Sequence, residues 1–468
     1  MIILNKIKEY KNSAMFLVTG SIVIIQSLLF WRIWHVFYKF NIIEPFYEKG
    51  TLLLVLVYAL LLGTFANIYG GFKVGYYRIT DIIYSQILSL IFVNLITYLQ
   101  ISLIAREMLN IFGIAVMMIA QIFIVVAWAY ISNRIYLKLN PAMKIIIVYG
   151  NSDVSRFEKK LSLRPDKYNI VNMIDINEGV DKIIEHICNF HYDAVMLYDI
   201  DSYKRNLILK CCYDRSIRAY VTPKISDIIV GSSDKFHLFD TPLFVCKNKG
   251  LSYEQTLVKR FVDIIISAVM IVLTSPFMAL VAAAIKIQDA GPVIFKQERV
   301  TLNNRVFEIY KFRSMVVDAE SDGIARLAAQ DDNRITNVGK IIRKVRLDEL
   351  PQLFNVFKGD MSIVGPRPER PEITEQYVKI IPEFEFRTKV KAGITGYAQV
   401  MGKYNTTAYD KLKLDLLYIE NFSFIMDFKL MMMTIKILFM PEKTEGLEVD
   451  EILPGELFFI KNEEANNN

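Results

Sequence analysis

Four apolar stretches in the N-terminal part constrain this chain more than any other feature, because each is about as long as a bilayer is thick. They cover residues 15–37, 51–69, 82–104 and 111–131. A transmembrane helix needs about 20 mostly apolar residues, and the first stretch is too long for the apolar part of a signal peptide. The sequence therefore predicts a four-helix transmembrane bundle within residues 1–140.

Charged residues next to these stretches indicate which ends face the cytoplasm. Basic residues precede the first stretch, separate the second from the third and follow the fourth, as with Lys11, Arg78 and Arg134. Cytoplasmic loops carry an excess of Lys and Arg, so both ends of the bundle are predicted to lie in the cytoplasm. The formal net charge of +6 suits an anionic membrane surface and anionic substrates. The charge is too diffuse to indicate nucleic acid binding.

Residues 141–250 alternate short apolar runs with helical patterns. The strand candidates are residues 144–150, 168–174, 194–198 and 219–222. Strands that alternate with helices predict a parallel α/β sheet of the Rossmann-like type. A dinucleotide site would need three glycines at the first turn, and only Gly150 is present. The prediction is therefore a degenerate Rossmann-like domain.

From residue 251 onward the chain contains neither histidine nor cysteine. Ser–His and Cys–His catalysis are excluded within this part, whereas a carboxylate nucleophile is not. Asp348 and Glu349 are adjacent carboxylates that open a short helical pattern ending at Gly359. We expect Asp348 at or next to the N-cap of that helix, where negative charge is favourable.

Cationic side chains in loops rich in Gly and Pro lie on both sides of this acidic pair in the sequence. They are Lys311, Arg313, Arg346 and Arg367. Arg can hold two phosphate oxygens at once, and Mg²⁺ prefers one or two carboxylates plus substrate phosphates. The sequence therefore predicts a site for phosphate and a divalent cation.

Seven ordered motifs between residues 253 and 440 resemble those of the bacterial sugar transferases, which move a phospho-sugar onto a polyprenyl phosphate. The motifs are Lys259-Arg260-Phe261-Val262-Asp263, Ser275-Pro276, Gly291-Pro292-Val293-Ile294-Phe295-Lys296-Gln297, Lys311-Phe312-Arg313-Ser314-Met315, Leu347-Asp348-Glu349-Leu350-Pro351-Gln352, Gly365-Pro366-Arg367-Pro368 and Gly393-Ile394-Thr395-Gly396. The whole chain is similar to the long form of that family. One departure is Ala392, where many members have proline.

The resemblance implies a mechanism and its participants. Asp348 would be the nucleophile that forms a covalent phospho-sugar intermediate, and Glu349 would support metal binding or proton transfer. Mg²⁺ or Mn²⁺ would be held by both carboxylates, and the four cations named above would bind phosphate. The substrates would be a nucleotide diphospho-sugar, by resemblance UDP-glucose or UDP-galactose, and undecaprenyl phosphate.

The resemblance also implies a place in the cell. The product would initiate exopolysaccharide, capsule or O-antigen synthesis at the bacterial inner membrane, with the catalytic domain on the cytoplasmic face. A homodimer and contacts with other polysaccharide-assembly proteins are further expectations. Residues 251–440 would form a mostly helical catalytic domain, and residues 441–468 a C-terminal tail.

An apolar run at residues 261–287 is long enough to span a membrane. Ser275 and Pro276 interrupt it, and a proline inside a helix removes one backbone hydrogen bond. Basic residues such as Lys259 and Lys286 lie on both sides, which favours both ends in the cytoplasm. The prediction is a re-entrant helix hairpin, and the alternative is an ordinary fifth transmembrane helix.

Two other function classes stay open. A membrane-anchored nucleotide-sugar epimerase or dehydratase would need the glycine motif and a Tyr-x-x-x-Lys pair in the nucleotide domain. A catalytically inert scaffold would be expected to have lost Asp348, Glu349 or the loop around Arg367. The missing glycines and the intact acidic pair favour the transferase.

Overall fold

The computed structural model describes residues 11–42, 47–150, 154–246, 250–317, 334–402 and 406–438. The chain divides into two compact units, Met1–Pro223 and Lys224–Asn468. The predicted tail, residues 441–468, lies outside the described residues.

Long apolar helices form the first part of the first unit. They are Lys11–Ile33 (α1, extended by a π-helical turn at Trp34–Tyr38), Glu48–Tyr69 (α2), Ile79–Ala105 (α3) and Phe112–Leu139 (α4). Each packs against the next, and α1 packs against α4. Each is long and apolar enough to cross a membrane. The prediction of several apolar helices in this region is confirmed.

A group of polar side chains is buried among these helices, one from each. Asn94 donates to Gln121 Oε1 at 2.7 Å, and Gln121 donates to the Tyr58 hydroxyl at 2.7 Å. Gln26 donates to the backbone oxygen of Gln121 at 3.3 Å. In apolar surroundings such hydrogen bonds help to specify which helix faces meet.

A parallel sheet forms the second part of the first unit, as predicted. Its strands are Met143–Tyr149 (β1), Tyr168–Asp175 (β2), Ala194–Tyr198 (β3) and Arg218–Val221 (β4), in the order β2-β1-β3-β4. The connecting helices are Ser155–Ser162 (α5), Val180–Asn189 (α6) and Ser202–Asp214 (α7). The four central residues of β1 that are buried are all Ile or Val, which is typical of a strand covered on both faces.

The loop before β2 contacts the turn between α2 and α3. Arg164 donates to the backbone oxygens of Gly75 and Tyr76, each at 2.8 Å. The Lys167 Nζ lies 4.0 Å from the centroid of the Tyr76 ring. Gly75 has a φ of +78°, and a Cβ there would lie 2.2 Å from the Tyr136 ring, so only glycine fits this turn. The sheet is therefore held against this helix-connecting turn.

The second unit contains one long helix, short helices and two-stranded sheets. In chain order these are Ile225–Gly231 (α8), Asp234–Leu238 (β5), Thr241–Val245 (β6), Tyr253–Asp289 (α9), Ile294–Val300 (β7), Val306–Phe312 (β8), Asn337–Lys344 (α10), Gln352–Lys358 (α11), Ser362–Val364 (β9), Pro371–Ile380 (α12), Gly393–Thr395 (β10), Tyr397–Met401 (α13), Ala408–Glu420 (α14) and Phe424–Leu438 (α15). The pairs β5–β6 and β7–β8 are antiparallel, and β9–β10 is parallel.

Helix α9 runs unbroken from Tyr253 to Asp289 and includes Ser275 and Pro276. Pro276 has no N–H for the carbonyl of Val272, one turn earlier. The Ser275 hydroxyl donates to that carbonyl at 2.8 Å and so satisfies it. The polar group that proline leaves unpaired is therefore paired within the helix itself.

Both ends of α9 pack on the rest of the second unit. Near its start, Lys259 forms a buried ion pair with Asp427, and Asp263 accepts a hydrogen bond from the Ser362 hydroxyl at 3.1 Å. Near its end, Val281 and Ile285 join a buried apolar cluster with Phe312 and Ile342. None of residues 268–280 between these ends is buried.

Candidate active site

The two adjacent carboxylates lie on a 3₁₀ turn, Leu347–Glu349, between α10 and α11. Arg346 leads into this turn with a φ of +55°, in the left-handed region, which costs a residue with a side chain about 1–2 kcal/mol. This strained residue turns the chain so that the acidic pair follows α10 directly.

The expectation that Asp348 caps a helix is wrong. Pro351 occupies the N-cap position of α11, and the helix has seven residues. Pro351 has no N–H to donate, so the residues before it close as a separate 3₁₀ turn and α-helical bonding begins after it. The predicted helix end is confirmed, because Gly359 follows α11 with a φ of +102°.

A buried asparagine places strand β8 beside α11. Asn355 Nδ2 donates to the backbone oxygen of Glu308 at 2.7 Å, and its Oδ1 accepts from the Tyr310 N–H at 2.9 Å. These two bonds give the edge of β8 the partners that a neighbouring strand would provide. Lys311 follows Tyr310 on β8, so Asn355 fixes this lysine next to the acidic turn.

Glu349, and not Asp348, is the residue around which the predicted phosphate-binding cations gather. Lys311 Nζ and Arg367 Nη2 each lie 3.5 Å from Glu349 Oε1, and Arg346 Nη1 lies 3.6 Å from Oε2. The cations come from β8, from the residue that precedes the 3₁₀ turn and from the loop after β9. The structure thus brings together three of the four predicted cations.

Opposite electrostatic environments separate the two carboxylates. Burial and the neighbouring charge of Glu349 raise the pKa of Asp348 to about 6, against the opposing effect of Lys311, Arg343 and Arg346. Burial also acts to raise the pKa of Glu349, but Lys311, Arg367 and Arg346 outweigh it and lower this pKa to about 2. Among the described residues, Asp348 has no ion-pair partner. At neutral pH it is therefore mostly ionised, and an ionised carboxylate is capable of nucleophilic attack.

The structure places Arg313, the fourth predicted cation, in a different contact. Its guanidinium forms an ion pair with Asp289 at the end of α9, and the side chain is 6% exposed. A Cβ on Gly291 would lie 2.2 Å from Arg313 Nη1, so this glycine makes room for the guanidinium. Arg313 therefore joins the end of α9 to the strand that bears Lys311.

The loop after β9 brings Arg367 to the site. The N–H of Gly365 donates to the backbone oxygen of Thr395 at 2.8 Å, and the N–H of Gly393 donates to that of Pro366 at 2.9 Å. At Ala392, where family members often have proline, the backbone N–H donates to the buried hydroxyl of Thr301 at 3.1 Å. A proline could not make this bond, so this chain anchors the segment through Thr301.

Two charged residues near this loop were not predicted from the sequence. Arg387 and Asp415 form a buried ion pair with 2.7 Å between Nε and Oδ2. A sequence signal was available, because Asp415 lies at a helical spacing from Leu412, Leu416 and Ile419, all buried residues of α14. A carboxylate on an apolar helix face indicates a buried charge that needs a partner.

Comparison with known proteins supplies independent information. Residues 254–441 match the family described as bacterial sugar transferase. The chain is 41% identical over 251 residues to a UDP-N-acetylgalactosamine-undecaprenyl-phosphate N-acetylgalactosaminephosphotransferase of Aeromonas hydrophila, covering 52% of this chain and 58% of that relative. It is 32% identical over 314 residues to an undecaprenyl-phosphate glucose phosphotransferase of Komagataeibacter xylinus, covering 63% of this chain and 59% of that relative.

A third relative is shorter. The uncharacterized sugar transferase EpsL of Bacillus subtilis (strain 168) is 35% identical over 203 residues, covering 43% of this chain and 96% of its own length. The chain thus spans under two thirds of the length of the first two relatives and nearly all of the third. The matched region of this chain contains the acidic turn and the cations around it.

Proposed function

This chain belongs to the bacterial sugar transferase family, and from that premise we propose that it transfers a sugar-1-phosphate from a nucleotide diphospho-sugar to a polyprenyl phosphate. The main supporting observation is the acidic turn, in which Asp348 is unpaired while Glu349 gathers three cations. The relatives' printed names support undecaprenyl phosphate as the acceptor and a UDP-hexose as the donor. Glucose, galactose and N-acetylgalactosamine are the candidate sugars.

The proposed reaction has two displacements at phosphorus. An Asp348 oxygen attacks the phosphorus that bears the sugar, a P–O bond forms, and the bond from that phosphorus to the departing nucleoside monophosphate breaks. A phosphate oxygen of the polyprenyl phosphate then attacks the same phosphorus. The acyl–phosphate bond breaks, the polyprenyl diphospho-sugar leaves, and the Asp348 carboxylate is regenerated. A carboxylate is an established nucleophile of this type.

The cations around Glu349 have a defined task in this reaction. Charge spreads over the phosphate oxygens during phosphoryl transfer, and fixed cations stabilise it. Lys311, Arg346 and Arg367 lie 3.5–3.6 Å from Glu349 in this structure, so their remaining N–H groups can contact a diphosphate beside Asp348. With a pKa of about 2, Glu349 stays ionised at neutral pH and acts as the anchor of these cations, not as a proton carrier.

A divalent cation, Mg²⁺ or Mn²⁺, fits this donor set when the substrate completes it. The chain offers the carboxylates of Asp348 and Glu349, and Mg²⁺ commonly takes its remaining ligands from substrate phosphates and water. Within the described residues, no group of three His, Cys, Asp or Glu side chains is placed to hold a metal. When bound, the ion would neutralise charge on the diphosphate.

The proposed setting is the bacterial inner membrane, with this site at the cytoplasmic face. Helices α1–α4 would form the transmembrane bundle of residues 1–140, residues 141–223 a Rossmann-like cytoplasmic domain, and residues 224–440 the catalytic domain. Helix α9 would enter the membrane and return near Ser275 and Pro276. Support for the return is that both ends of α9 pack on one unit while residues 268–280 remain unburied. A homodimer and assembly partners are part of the same proposal.

The comparisons do not support the epimerase alternative. The relatives that share this chain's sequence are named as sugar transferases and phosphotransferases. An epimerase would need a glycine-rich first turn in the nucleotide domain. This chain has Gly150 there and lacks the other two glycines of the motif.

The test is to trap the phospho-sugar on the protein. Full-length protein purified in detergent, free of lipid acceptor, is incubated with UDP-sugars labelled at the phosphate next to the sugar, and the denatured protein is assayed for label. We expect label on wild type and on Glu372→Gln, an exposed acidic position on α12, and none on Asp348→Asn. An Asp348→Asn protein that turns over within about tenfold of wild type would overturn the assignment, because tenfold is only about 1.4 kcal/mol of barrier.

A further inference from the structure

A second arginine, Arg387, binds the backbone of the loop that bears Arg367. Among the described residues, Arg387 forms no ion pair with Asp348 or Glu349. Arg387 Nη2 donates to the backbone oxygen of Arg367 at 3.0 Å, and Arg387 Nε donates to Asp415 Oδ2 at 2.7 Å. Its Nη1 lies 3.9 Å from Glu369 Oε1, and the guanidinium lies 4.7 Å from the centroid of the Phe384 ring. One planar group thus connects the loop to helix α14.

Burial makes this arrangement more than a surface contact. The side chain of Arg387 is 8% exposed and that of Asp415 is 1% exposed. A buried ion pair is often no more stabilising than apolar side chains of the same size, because desolvation opposes the attraction. The net stabilisation from such a pair is therefore expected to be small. What distinguishes Arg387 is the geometry of its guanidinium, which donates to two acceptors in fixed directions.

The packing behind the loop leaves a small gap. Arg387 lies on a 3₁₀ helix, Pro382–Lys389. A cavity of about 20 Å³ lies between the loop and this helix, and both Arg367 and Arg387 line it. That volume is about enough for one water molecule. Packing is therefore incomplete on this side, and the hydrogen bond from Arg387 to the Arg367 carbonyl fixes the loop where packing does not.

We propose that Arg387, oriented by Asp415, is a positioning residue that fixes Arg367 in the phosphate site. This inference rests on the proposed transferase function. Arg387 acts through the backbone of Arg367, and the Arg367 side chain acts on the diphosphate. Loss of the contact should therefore raise KM for the UDP-sugar while the melting temperature of the protein changes little.

The test is a double-mutant cycle in the full-length protein in membranes. Arg387→Lys keeps the charge beside Asp415 but cannot donate to both acceptors with one planar group. We expect KM for the UDP-sugar to rise about tenfold while the melting temperature changes little. In an Arg367→Gln background, the same Arg387→Lys change should alter kcat/KM by less than about twofold, because the side chain it positions is gone.

A matched control separates positioning from stability. Leu416→Ala removes apolar packing next to Asp415 on α14 and should lower the melting temperature. Its effect on kcat/KM should be the same in the wild-type and Arg367→Gln backgrounds. If the effect of Arg387→Lys is also the same in both, the positioning role is overturned.

Asp415→Asn is a second variant, to be used if Arg387→Lys does not fold. The activity of wild type separates a failure of the proposed function from a failure of the proposed role of Arg387. Asp415→Asn keeps a hydrogen-bond acceptor for Arg387 and should show the same dependence on Arg367, with a smaller rise in KM. If wild type itself transfers no sugar phosphate, the proposed function fails. If wild type is active and both variants act independently of Arg367, only the inference about Arg387 fails.

Discussion

At the scale of single residues, the neighbours Asp348 and Glu349 differ in what surrounds them. Glu349 lies within 3.6 Å of Lys311, Arg346 and Arg367, whereas Asp348 is half-buried and unpaired in the described part of the chain. Like charges on adjacent carboxylates raise one pKa, and cations lower the other. Two carboxylates whose pKa values are pushed apart usually have different roles.

The decrease of kcat/KM at low pH should follow the protonation of Asp348. Its pKa of about 6 means that the attacking form is lost as the pH falls through 6. Below that pH, kcat/KM should decrease about tenfold per pH unit, since this ratio follows groups of the free enzyme. The measurement is the initial rate of label transfer to polyprenyl phosphate from pH 4.5 to pH 8.

Glu349→Gln supplies the control for this profile. The substitution removes the negative charge that raises the pKa of Asp348 and frees Lys311 and Arg346 to act on it. Both effects favour the ionised carboxylate, so the acid limb should move below pH 6 while the maximal rate falls. A limb that stays in place or moves upward would contradict the assignment.

At the scale of elements, the topology of helix α9 determines on which side of the membrane the acidic turn lies. A straight fifth span would place the two ends of α9 on opposite sides of the membrane. A re-entrant hairpin would place them on the same side. The structure provides internal pairing for the Val272 carbonyl through Ser275, which an apolar bilayer requires. Pairing of this kind makes a bend at Pro276 compatible with the hydrocarbon region.

Labelling of single cysteines should distinguish the two topologies. In a background without the four native cysteines, Gln288→Cys places a thiol at an exposed position in the last turn of α9, and Glu298→Cys places one at an exposed position on β7. For the hairpin, a membrane-impermeant maleimide should label both in inverted vesicles and neither in intact cells. Glu107→Cys, in the exposed loop between α3 and α4, is the positive control for labelling from outside.

Helices and strands with a clear pattern of apolar residues could be predicted from the sequence. Features that depend on contacts between residues far apart in the sequence could not. The four N-terminal helices and the strands β1–β4 follow from runs of apolar residues. Within the site, the acidic pair and three cations were predicted, but their grouping around Glu349 depends on a left-handed Arg346 and on Asn355, which no local pattern indicates. The ion pair of Arg313 with Asp289 was not predicted, because the two residues lie 24 positions apart in the sequence.

At the scale of the whole molecule, the second unit begins earlier than the family match. The match starts at residue 254, whereas the compact unit starts at Lys224. Helix α8 explains the difference, because Ile225 and Ile228 are buried in one apolar cluster with Leu412 and Leu416 of α14. A chain cut at residue 251 would expose that face of α14 to water.

Truncation should show this difference directly. A protein that starts at Lys224 should remain membrane-bound and acquire the phospho-sugar label, whereas one that starts at Leu251 should aggregate or lose most of the label. Burial of one isoleucine contributes about 1.5–3 kcal/mol, and two are removed. Full-length Ile228→Ala is the matched control and should lower the melting temperature without abolishing labelling. Equal labelling of both truncated proteins would show that α8 is dispensable.

The contact of Arg164 with the backbone of Gly75 and Tyr76 limits how the first unit can be recombined during evolution. The acceptors are carbonyl oxygens of a turn that only glycine can form at Gly75, since Tyr136 fills the space beside it. A sheet inherited from another chain would need its own arginine at this place, and new helices would need the same turn. Exchange of either segment alone would leave Arg164 with Asp166 as its remaining partner, or would leave two backbone carbonyls without their donor. The two segments are therefore expected to be inherited together.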